Sequence, residues 1–333
     1  MENQKEKKNT TERYDIMTSC DNNLIQYVTI QLYSISRNLK PGIVHYYLFH
    51  RNIPDKNLKT LEALCHRLGN IIFHAVKVPE AEKYDVLANY GGNWCGEAYY
   101  SLCSHRLLPE NVKRVLYVDA GDVIFTRDIS LFYHSDFEGK ALIVTPSKFK
   151  ECDGGIAPIL DLNFETVEGF YKICKGLFNS GAYLINLEKL RDAQLTIDDW
   201  LDFSRSLCER SGRRGTFRVY WGDQGLLSAA FSDDLKFYGC SQGENIWRTP
   251  YIPYNFHMGY YYKESNESPD YCPAIVHFVG GPKPWRLRYP IILDRLPSGE
   301  LPFDSLKIGQ AEWYYLWHEY AISTDRILRE MGY

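Results

Sequence analysis

Short apolar runs alternate with segments of helical periodicity over most of the chain. Residues 14–19 predict a β-strand, and apolar residues at helical spacing over residues 24–39 predict a helix that ends at Pro41-Gly42. The same order of strand and helix repeats over residues 44–76. Because such alternation is typical of parallel sheets with right-handed crossovers, the pattern predicts an α/β fold. Further strands are predicted at residues 115–118, 123–125, 142–145, 182–187, 236–238 and 274–279, and further helices at 97–108, 198–210, 222–231 and 310–331.

One predicted strand carries acidic residues at its end. The apolar run Val115-Leu116-Tyr117-Val118 is typical of a strand buried on both faces, and Asp119-Ala120-Gly121-Asp122 follows it directly. Open α/β sheets bind ligands at the carboxyl ends of their strands. Two carboxylates without a basic residue between them repel each other, and a hard divalent cation relieves that repulsion. Asp119 and Asp122 are therefore candidate metal ligands, although an isolated pair of this kind more often consists of ordinary turn residues.

The composition is that of a soluble globular protein and narrows the choice of partner. The 333 residues are 45% hydrophobic and 24% charged, and the net charge of −4 gives no electrostatic case for nucleic acid as a partner. No apolar run approaches the roughly 20 residues that cross a bilayer, and no signal-peptide core is expected at the N-terminus. Nine dispersed cysteines predict reduced thiols in a cytoplasmic protein rather than a zinc site.

Three segments lack clear periodicity. Residues 1–13 are polar and charged, which predicts a disordered tail. Residues 79–96 and 239–271 are predicted to be loops, and the second of these contains six tyrosines. Because a loop of that length in a compact chain is usually functional, its tyrosines and Trp94 are candidates for a ligand-binding surface. Packing of these rings beneath a loop is an equally good interpretation.

Four more polar stretches accompany the acidic pair. In the first of them, residues 19–23, the Asp and Asn side chains could equally cap a helix. In the last one His277 ends an apolar strand, where a lone histidine is more often a hydrogen-bonded core residue. A glycine pair and Lys283 follow it, and together these could hold a diphosphate. The four stretches are residues 19–23 (SCDNN), 178–181 (FNSG), 221–225 (WGDQG) and 276–285 (VHFVGGPKPW).

Taken together, the five stretches resemble the glycosyltransferases of family 8, which include bacterial lipopolysaccharide galactosyl- and glucosyltransferases and glycogenin. The resemblance extends over about residues 14–285. It implies a GT-A fold, which is a Rossmann-like, nucleotide-sugar-binding α/β domain with a mostly parallel central sheet, over residues 14–289. A C-terminal helical extension is expected over residues 290–333.

The resemblance implies metal-dependent transfer of a hexose, glucose or galactose, from a UDP-sugar with retention at the anomeric carbon. The acceptor would be a hydroxyl of a glycan, glycoprotein or glycolipid in cell-surface glycan synthesis, and the tyrosines of residues 251–271 and Trp94 are the candidates for its binding surface. Asp119, Asp122 and His277 would bind Mn²⁺, with Mg²⁺ as the alternative, and this ion would hold the donor's diphosphate. The other implied contacts are Ser19, Asp21 and Asn23 with uridine, Asn179 and Gly181 beside the donor sugar, Gly280 and Lys283 at the diphosphate, and Asp223 and Gln224 at the reacting centre.

Retention could proceed by double displacement or by front-face substitution. Gln224 is an amide and a poor nucleophile, and an ionised Asp223 would be engaged by sugar hydroxyls. We therefore favour front-face substitution, with Gln224 supporting an oxocarbenium-like centre.

The sequence departs from the family pattern at three places. Two residues, rather than the usual one, separate Asp119 from Asp122, so either the turn bulges or the second ligand shifts. Ser101 stands where an arginine usually follows the tyrosine pair, and Arg106, about one turn further on, is a candidate to replace that arginine. Gly225 follows Gln224 where bacterial relatives often have aspartate.

The alternative functions come from other classes. A non-catalytic nucleotide-sugar-binding protein on the same fold is the main one. A nucleotidyltransferase is disfavoured because the N-terminal region has no Gly-rich, basic loop to cradle a triphosphate. A structural protein would leave five polar stretches unexplained.

Residues 312–320 carry an aromatic stripe at helical spacing. Such a stripe usually packs on its own domain, and the alternative is peripheral membrane contact through residues 310–333, toward a lipid-linked acceptor. We expect a cytoplasmic protein, with the inner face of the membrane as the alternative location. The sugar, the acceptor and the oligomeric state stay open at this stage.

Overall fold

The computed structural model describes residues 12–91, 94–146, 178–210, 220, 222–231, 234–238, 256–257, 273–279, 283–286 and 308–333. The strands are β1 (Arg13–Ser19), β2 (Ile43–His50), β3 (Ile71–Lys77), β4 (Arg114–Val118), β5 (Val123–Phe125), β6 (Leu142–Pro146), β7 (Phe178–Asn186), β8 (Leu235–Phe237), β9 (Phe256–His257) and β10 (Ile275–His277). The α-helices are α1 (Ile25–Asn38), α2 (Asp55–Leu68), α3 (Ala81–Gly91), α4 (Ser104–Leu107), α5 (Ser130–Tyr133), α6 (Leu187–Ala193), α7 (Ile197–Arg210), α8 (Gly222–Ala230) and α9 (Ile308–Glu330). Short 3₁₀ helices span Asn22–Leu24, Gly96–Cys103 and Pro284–Arg286.

The central sheet has seven strands in the order β3-β2-β1-β4-β7-β6-β8. Strands β3, β2, β1 and β4 run parallel, and β6 pairs with β8 in parallel. Strand β7 is antiparallel to both of its neighbours, β4 and β6. The predicted α/β fold with a mostly parallel sheet is confirmed. The antiparallel β7 brings its first residues to the edge where the parallel strands end.

A second, three-stranded sheet in the order β5-β10-β9 adjoins the end of β4. Strand β10 is antiparallel to β5, with His277 opposite Val123 and Ile275 opposite Phe125. This pairing carries the C-terminal part of the chain to the residue that directly follows Asp122. The small sheet therefore joins two of the polar stretches.

Both faces of the central sheet are covered. Along β4 the side chains alternate between two hydrophobic cores, with Val115 and Tyr117 in one and Leu116 and Val118 in the other. This is the burial predicted for a continuous apolar run. Helix α1 packs on one face, where Val28, Leu32 and Ile35 recur at helical spacing.

Helix α9 carries the aromatic stripe, and its rings are buried. These rings pack against Ile30 of α1, Ile124 and Val276 of the small sheet, and Phe278 directly after it. The rings are those of Trp313, Tyr314, Trp317 and Tyr320. Asn38 of α1 donates a hydrogen bond to the Tyr320 hydroxyl at 3.1 Å. In the part of the chain that the structure describes, no helix is long and apolar enough to cross a membrane.

Four local features need correction or completion. Residues 81–91, within the predicted loop 79–96, form helix α3, whose buried residues follow a helical period. Arg13 belongs to β1 rather than to a tail, and residues 1–11 lie outside the described residues. Strand β7 begins at Phe178 instead of residue 182, and α6 was not predicted. The cysteines that the structure describes are not joined to one another by disulfides.

Candidate active site

The polar stretches meet at one edge of the central sheet. Strands β1 and β4 are parallel neighbours, so Ser19 and Asp119 lie where these strands end at the same edge. Because β7 runs the other way, its beginning lies there too, with Val118 opposite Ala182. The backbone N–H of Asp119 donates to the carbonyl oxygen of Gly181 at 3.0 Å. The first residues of β7 thus lie at this edge of the sheet, within the strand. The sequence pattern predicted that they would precede the strand.

The turn between the two aspartates accounts for their unusual spacing. Gly121 has a φ of +80°, in the left-handed region that glycine adopts without strain. An added Cβ there would lie 2.7 Å from the Cβ of Tyr27, so the turn also needs the small residue for close contact with α1. On the same helix, Gln31 donates to the carbonyl oxygens of Asp119 at 2.8 Å and Val123 at 3.2 Å. The extra residue between the two aspartates is therefore accommodated by a left-handed turn that α1 holds in place.

This turn brings both aspartates beside the imidazole of His277. The Nε2 atom of His277 lies 3.4 Å from Asp119 Oδ2 and 3.8 Å from Asp122 Oδ1. Across the three residues, one ligand atom from each lies within 4.8 Å of the others. His277 is 2% exposed, whereas the Asp119 side chain is 37% exposed, so the group opens toward solvent on the side of Asp119.

Asn179 connects the cluster to the neighbouring helix. Its Oδ1 accepts a hydrogen bond from the backbone N–H of Gly181 at 2.9 Å and lies 3.1 Å from His277 Nδ1. A carboxamide oxygen can only accept, so Nδ1 of His277 donates this hydrogen bond and Nε2 is the ring nitrogen that faces the two carboxylates. The Nδ2 of Asn179 donates to Gln224 Oε1 at 3.2 Å. A Cβ on Gly181 would lie 2.0 Å from the imidazole, so only glycine leaves room for this ring.

A lysine lies directly beside the aspartates. The Lys283 ammonium makes an ion pair with Asp122 and donates to the carbonyl oxygen of Phe278 at 2.9 Å. Burial opposes ionisation of Asp122, but Lys283 and His277 outweigh it and hold the pKa of Asp122 below its usual range. For Asp119, burial raises the pKa, with the charge of Asp122 adding to it. The Tyr117 hydroxyl donates to Asp119 Oδ1 at 3.1 Å and orients that carboxylate.

Asp223 is a buried carboxyl at the start of helix α8. Burial, followed by the charge of Asp119, raises the pKa of Asp223 to about 8. This corrects the expectation of an ionised Asp223, because a group with that pKa is mostly protonated at pH 7. Within the described part of the chain no group hydrogen bonds to Asp223 Oδ2, so a buried polar atom stays available for a bound hydroxyl.

The residues expected near a nucleoside lie at the end of β1. Asp21 caps the 3₁₀ helix Asn22–Leu24, where its carboxylate accepts from the Asn23 backbone at 2.9 Å and from Asn23 Nδ2 at 2.7 Å. The capping role left open by the sequence is thus present, and contact with uridine stays a prediction. Ser19 Oγ lies 3.5 Å from the Tyr117 hydroxyl.

Other expected residues lie elsewhere or outside the described residues. Ser101 is buried and accepts from the Tyr183 hydroxyl at 2.9 Å, whereas Arg106 is exposed and its charge acts on Asp199. Gly280 and the tyrosine-rich segment, except for residues 256 and 257, are outside the described residues. Trp94 is 39% exposed and lies over Gly222, whose added Cβ would be 3.1 Å from the indole.

The donor set fits a divalent cation. Two carboxylates and an imidazole nitrogen suit Mn²⁺ as well as other first-row ions, and their ligand atoms are already close together. The structure brings together the three residues singled out in the sequence, and the role of each in metal binding stays a prediction. Tyr117 and Gln31 were missed. Tyr117 carried a signal, because it lies two residues before Asp119 and alternation places both on one face of the strand.

Comparison with known proteins defines the class. The model of glycosyl transferase family 8 matches residues 15–288, which is most of the chain, and the chain therefore belongs to this family. No curated protein sequence matches it significantly. The fold is GT-A, as expected from the resemblance.

Solved structures with the same fold have low sequence identity to this chain. The galactosyltransferase LgtC, solved with donor and acceptor sugar analogues, has 20% identity and a TM-score of 0.63, covering 93% of this chain and 95% of LgtC. GlyE of Streptococcus pneumoniae TIGR4 has 19% identity and a TM-score of 0.59, covering 96% of this chain and 63% of GlyE. Mouse xyloside xylosyltransferase 1 has 15% identity and a TM-score of 0.51, covering 80% of this chain and 97% of that enzyme. At these identities the likeness describes the fold alone.

Proposed function

We propose that this protein is a metal-dependent retaining hexosyltransferase that uses a UDP-sugar and delivers glucose or galactose to a glycan, glycoprotein or glycolipid hydroxyl. The observation that carries the proposal is the cluster of Asp119, Asp122 and His277 at the sheet edge, with Lys283 against it. Membership of glycosyl transferase family 8 supports a nucleotide-sugar donor.

Asp119, Asp122 and His277 would hold Mn²⁺, or Mg²⁺ as the alternative. When bound, the ion would supply Lewis-acid stabilisation of the negative charge that develops on a leaving diphosphate. Lys283, which forms an ion pair with Asp122, would add a cationic hydrogen-bond donor for the same charge. The hydrogen bonds from Tyr117 and Gln31 hold the acidic turn in place before the donor arrives.

The residues beside the cluster favour front-face substitution over a covalent intermediate. In the metal-free protein burial raises the pKa of Asp223 to about 8, and a carboxyl that holds its proton is a poor nucleophile. Its Oδ2, which has no hydrogen-bond partner among the described residues, suits a hydrogen bond with a donor-sugar hydroxyl. Gln224, held by Asn179, would support the oxocarbenium-like centre. Trapping a glycosyl adduct on Asp223 would overturn this mechanism.

For the acceptor side, we propose that Trp94 contributes an aromatic face near the start of α8. The half-exposed indole over Gly222 is suitably placed to contact a sugar ring next to Asp223. We place the enzyme in the cytoplasm. Because the rings of α9 are buried, any membrane contact through residues 310–333 would use other side chains, such as the exposed Ile322. Equal vesicle co-sedimentation with and without residues 310–333 would remove that membrane contact from the proposal.

The test is a screen of UDP-sugars for hydrolysis or transfer in the presence of Mn²⁺, with chelator and Asp122→Ala as blanks. We expect one UDP-hexose to be turned over, and the loss of Asp122 to lower the rate by roughly 10²-fold or more. Asp192→Ala, an exposed carboxylate on α6, is the matched control and should keep full activity. Mn²⁺-dependent binding of UDP without turnover would favour the non-catalytic alternative, and no binding at all would refute both.

A further inference from the structure

Helix α1 packs alongside the segment that carries the two aspartates. Besides Gln31, Ser34 Oγ accepts from the Phe125 backbone N–H at 3.1 Å, and Asn38 donates to the Phe125 carbonyl at 2.8 Å. Tyr27 lies one turn before Gln31 on the same face, with its Cβ against Gly121. One face of α1 therefore fixes the backbone from the acidic turn to the end of β5.

The ring of Tyr27 contacts the segment that contains Lys283. The Trp285 indole stacks on the Tyr27 ring, with centroids 4.1 Å apart and planes 15° from parallel. Trp317 of α9 completes the group, with its ring centroid 6.2 Å from Trp285 and 6.4 Å from Tyr27. Tyr27 thus contacts the acidic turn through its Cβ and the lysine segment through its ring.

The lysine needs such an anchor. It is partly exposed, it has a flexible side chain, and its backbone belongs to a short segment that follows β10. Two residues further on, Trp285 supplies the stacked aromatic surface of this segment next to the buried Pro284, whereas Arg286 is exposed. A fixed Trp285 limits how far the Lys283 Cα can move relative to Asp122.

We propose that the Trp285–Tyr27 stack positions the Lys283 ammonium beside the acidic turn, so that lysine and metal meet a nucleoside diphosphate together. This inference rests on the proposed function, because it assigns residues that serve the same donor site. Trp285 and Tyr27 act through Lys283 and are positioning residues, not catalytic ones.

The test measures metal and nucleotide binding separately. Free Mn²⁺ is followed by electron paramagnetic resonance without nucleotide, and UDP binding by calorimetry at saturating Mn²⁺. Loss of an aromatic stack in Trp285→Ala should weaken UDP binding by about threefold to tenfold and leave Mn²⁺ affinity within about twofold. Trp285→Phe keeps a stacking ring and should retain most of the UDP affinity. Tyr27→Ala should reproduce the effect of Trp285→Ala.

Two further variants separate positioning from general destabilisation. In a Lys283→Met background, Trp285→Ala should weaken UDP binding no further, because the residue it positions is gone. Tyr33→Ala removes a different ring between α1 and α9, one that packs on Tyr320, and should lower the melting temperature without changing UDP affinity. Equal losses in both lysine backgrounds, or wild-type UDP affinity in Trp285→Ala, would overturn the inference while leaving the proposed function intact. Failure of the wild-type protein to bind UDP with Mn²⁺ would instead refute the proposed function and the inference with it.

Discussion

Replacement of Asp223 by asparagine should stabilise the metal-free protein at neutral pH while it damages the donor site. The pKa of Asp223 rises from its ordinary 3.8 to about 8 on folding, because the carboxyl is buried near Asp119. Between those values the folded state keeps a proton that the unfolded state has released. The unfolded state therefore binds fewer protons, and the free energy of unfolding falls as the pH rises from about 4 to 8.

The magnitude follows from the same values. A pH of 7 lies about three pH units above the ordinary pKa of 3.8. The buried carboxyl therefore lowers the free energy of unfolding at pH 7 by about 4 kcal/mol as an upper limit. The asparagine of the Asp223→Asn variant cannot ionise and escapes this cost, but its amide nitrogen takes the place of a buried atom without a partner, at about 1–3 kcal/mol. We expect a net gain of about 1–3 kcal/mol at pH 7 to 8 and none at pH 5.

Urea unfolding from pH 5 to 8.5 in chelator, followed by tryptophan fluorescence, measures the effect. The difference between Asp223→Asn and wild type should grow by up to about 1.4 kcal/mol for each pH unit between pH 5 and 7. Asp192→Asn, with an exposed side chain, should track the wild-type curve at every pH. A difference between Asp223→Asn and wild type that does not change with pH would refute the reasoning, since packing alone has no such dependence.

Two glycines at the site give further predictions. Gly121→Ala should lose Mn²⁺ binding and destabilise the protein by more than Gly69→Ala, because Gly69 has a similar φ of +86° but no atom within 4 Å of an added Cβ. Thermal unfolding of both variants separates the clash from the backbone strain of about 1 kcal/mol that they share; equal losses would contradict the contact with α1. Gly181→Ala should displace the His277 ring and abolish Mn²⁺ binding, measured by electron paramagnetic resonance, and unchanged Mn²⁺ affinity would exclude His277 as a ligand.

The sequence predicted the elements that have a regular apolar period and missed those where a polar context obscured it. Strand β4 was predictable because its continuous apolar run serves two cores. Helix α3 was missed because glycines and a tryptophan follow it and dominate the local composition. Its buried Tyr84, Leu87 and Ala88 nevertheless have helical spacing. Closer attention to that period would have found it.

The candidate site was predictable in its residue types but not in its connections. Aspartates at a strand end and a histidine before a glycine pair indicate a metal site by their chemistry. The left-handed turn at Gly121 could not be inferred, because the turn depends on contact with Tyr27 of α1. The link from Asn179 to His277 was equally hidden, since it requires β7 to run antiparallel and begin at the site.

The pairing of β10 with β5 sets the order in which this centre is completed during synthesis. Asp119 and Asp122 leave the ribosome long before His277, and the imidazole reaches them only when residues 275–277 have paired with residues 123–125. Until then the nascent chain holds two neighbouring carboxylates without the His277 imidazole or the Lys283 ammonium beside them. A chain that ends before β10 would therefore keep both aspartates and lack the third member of the cluster.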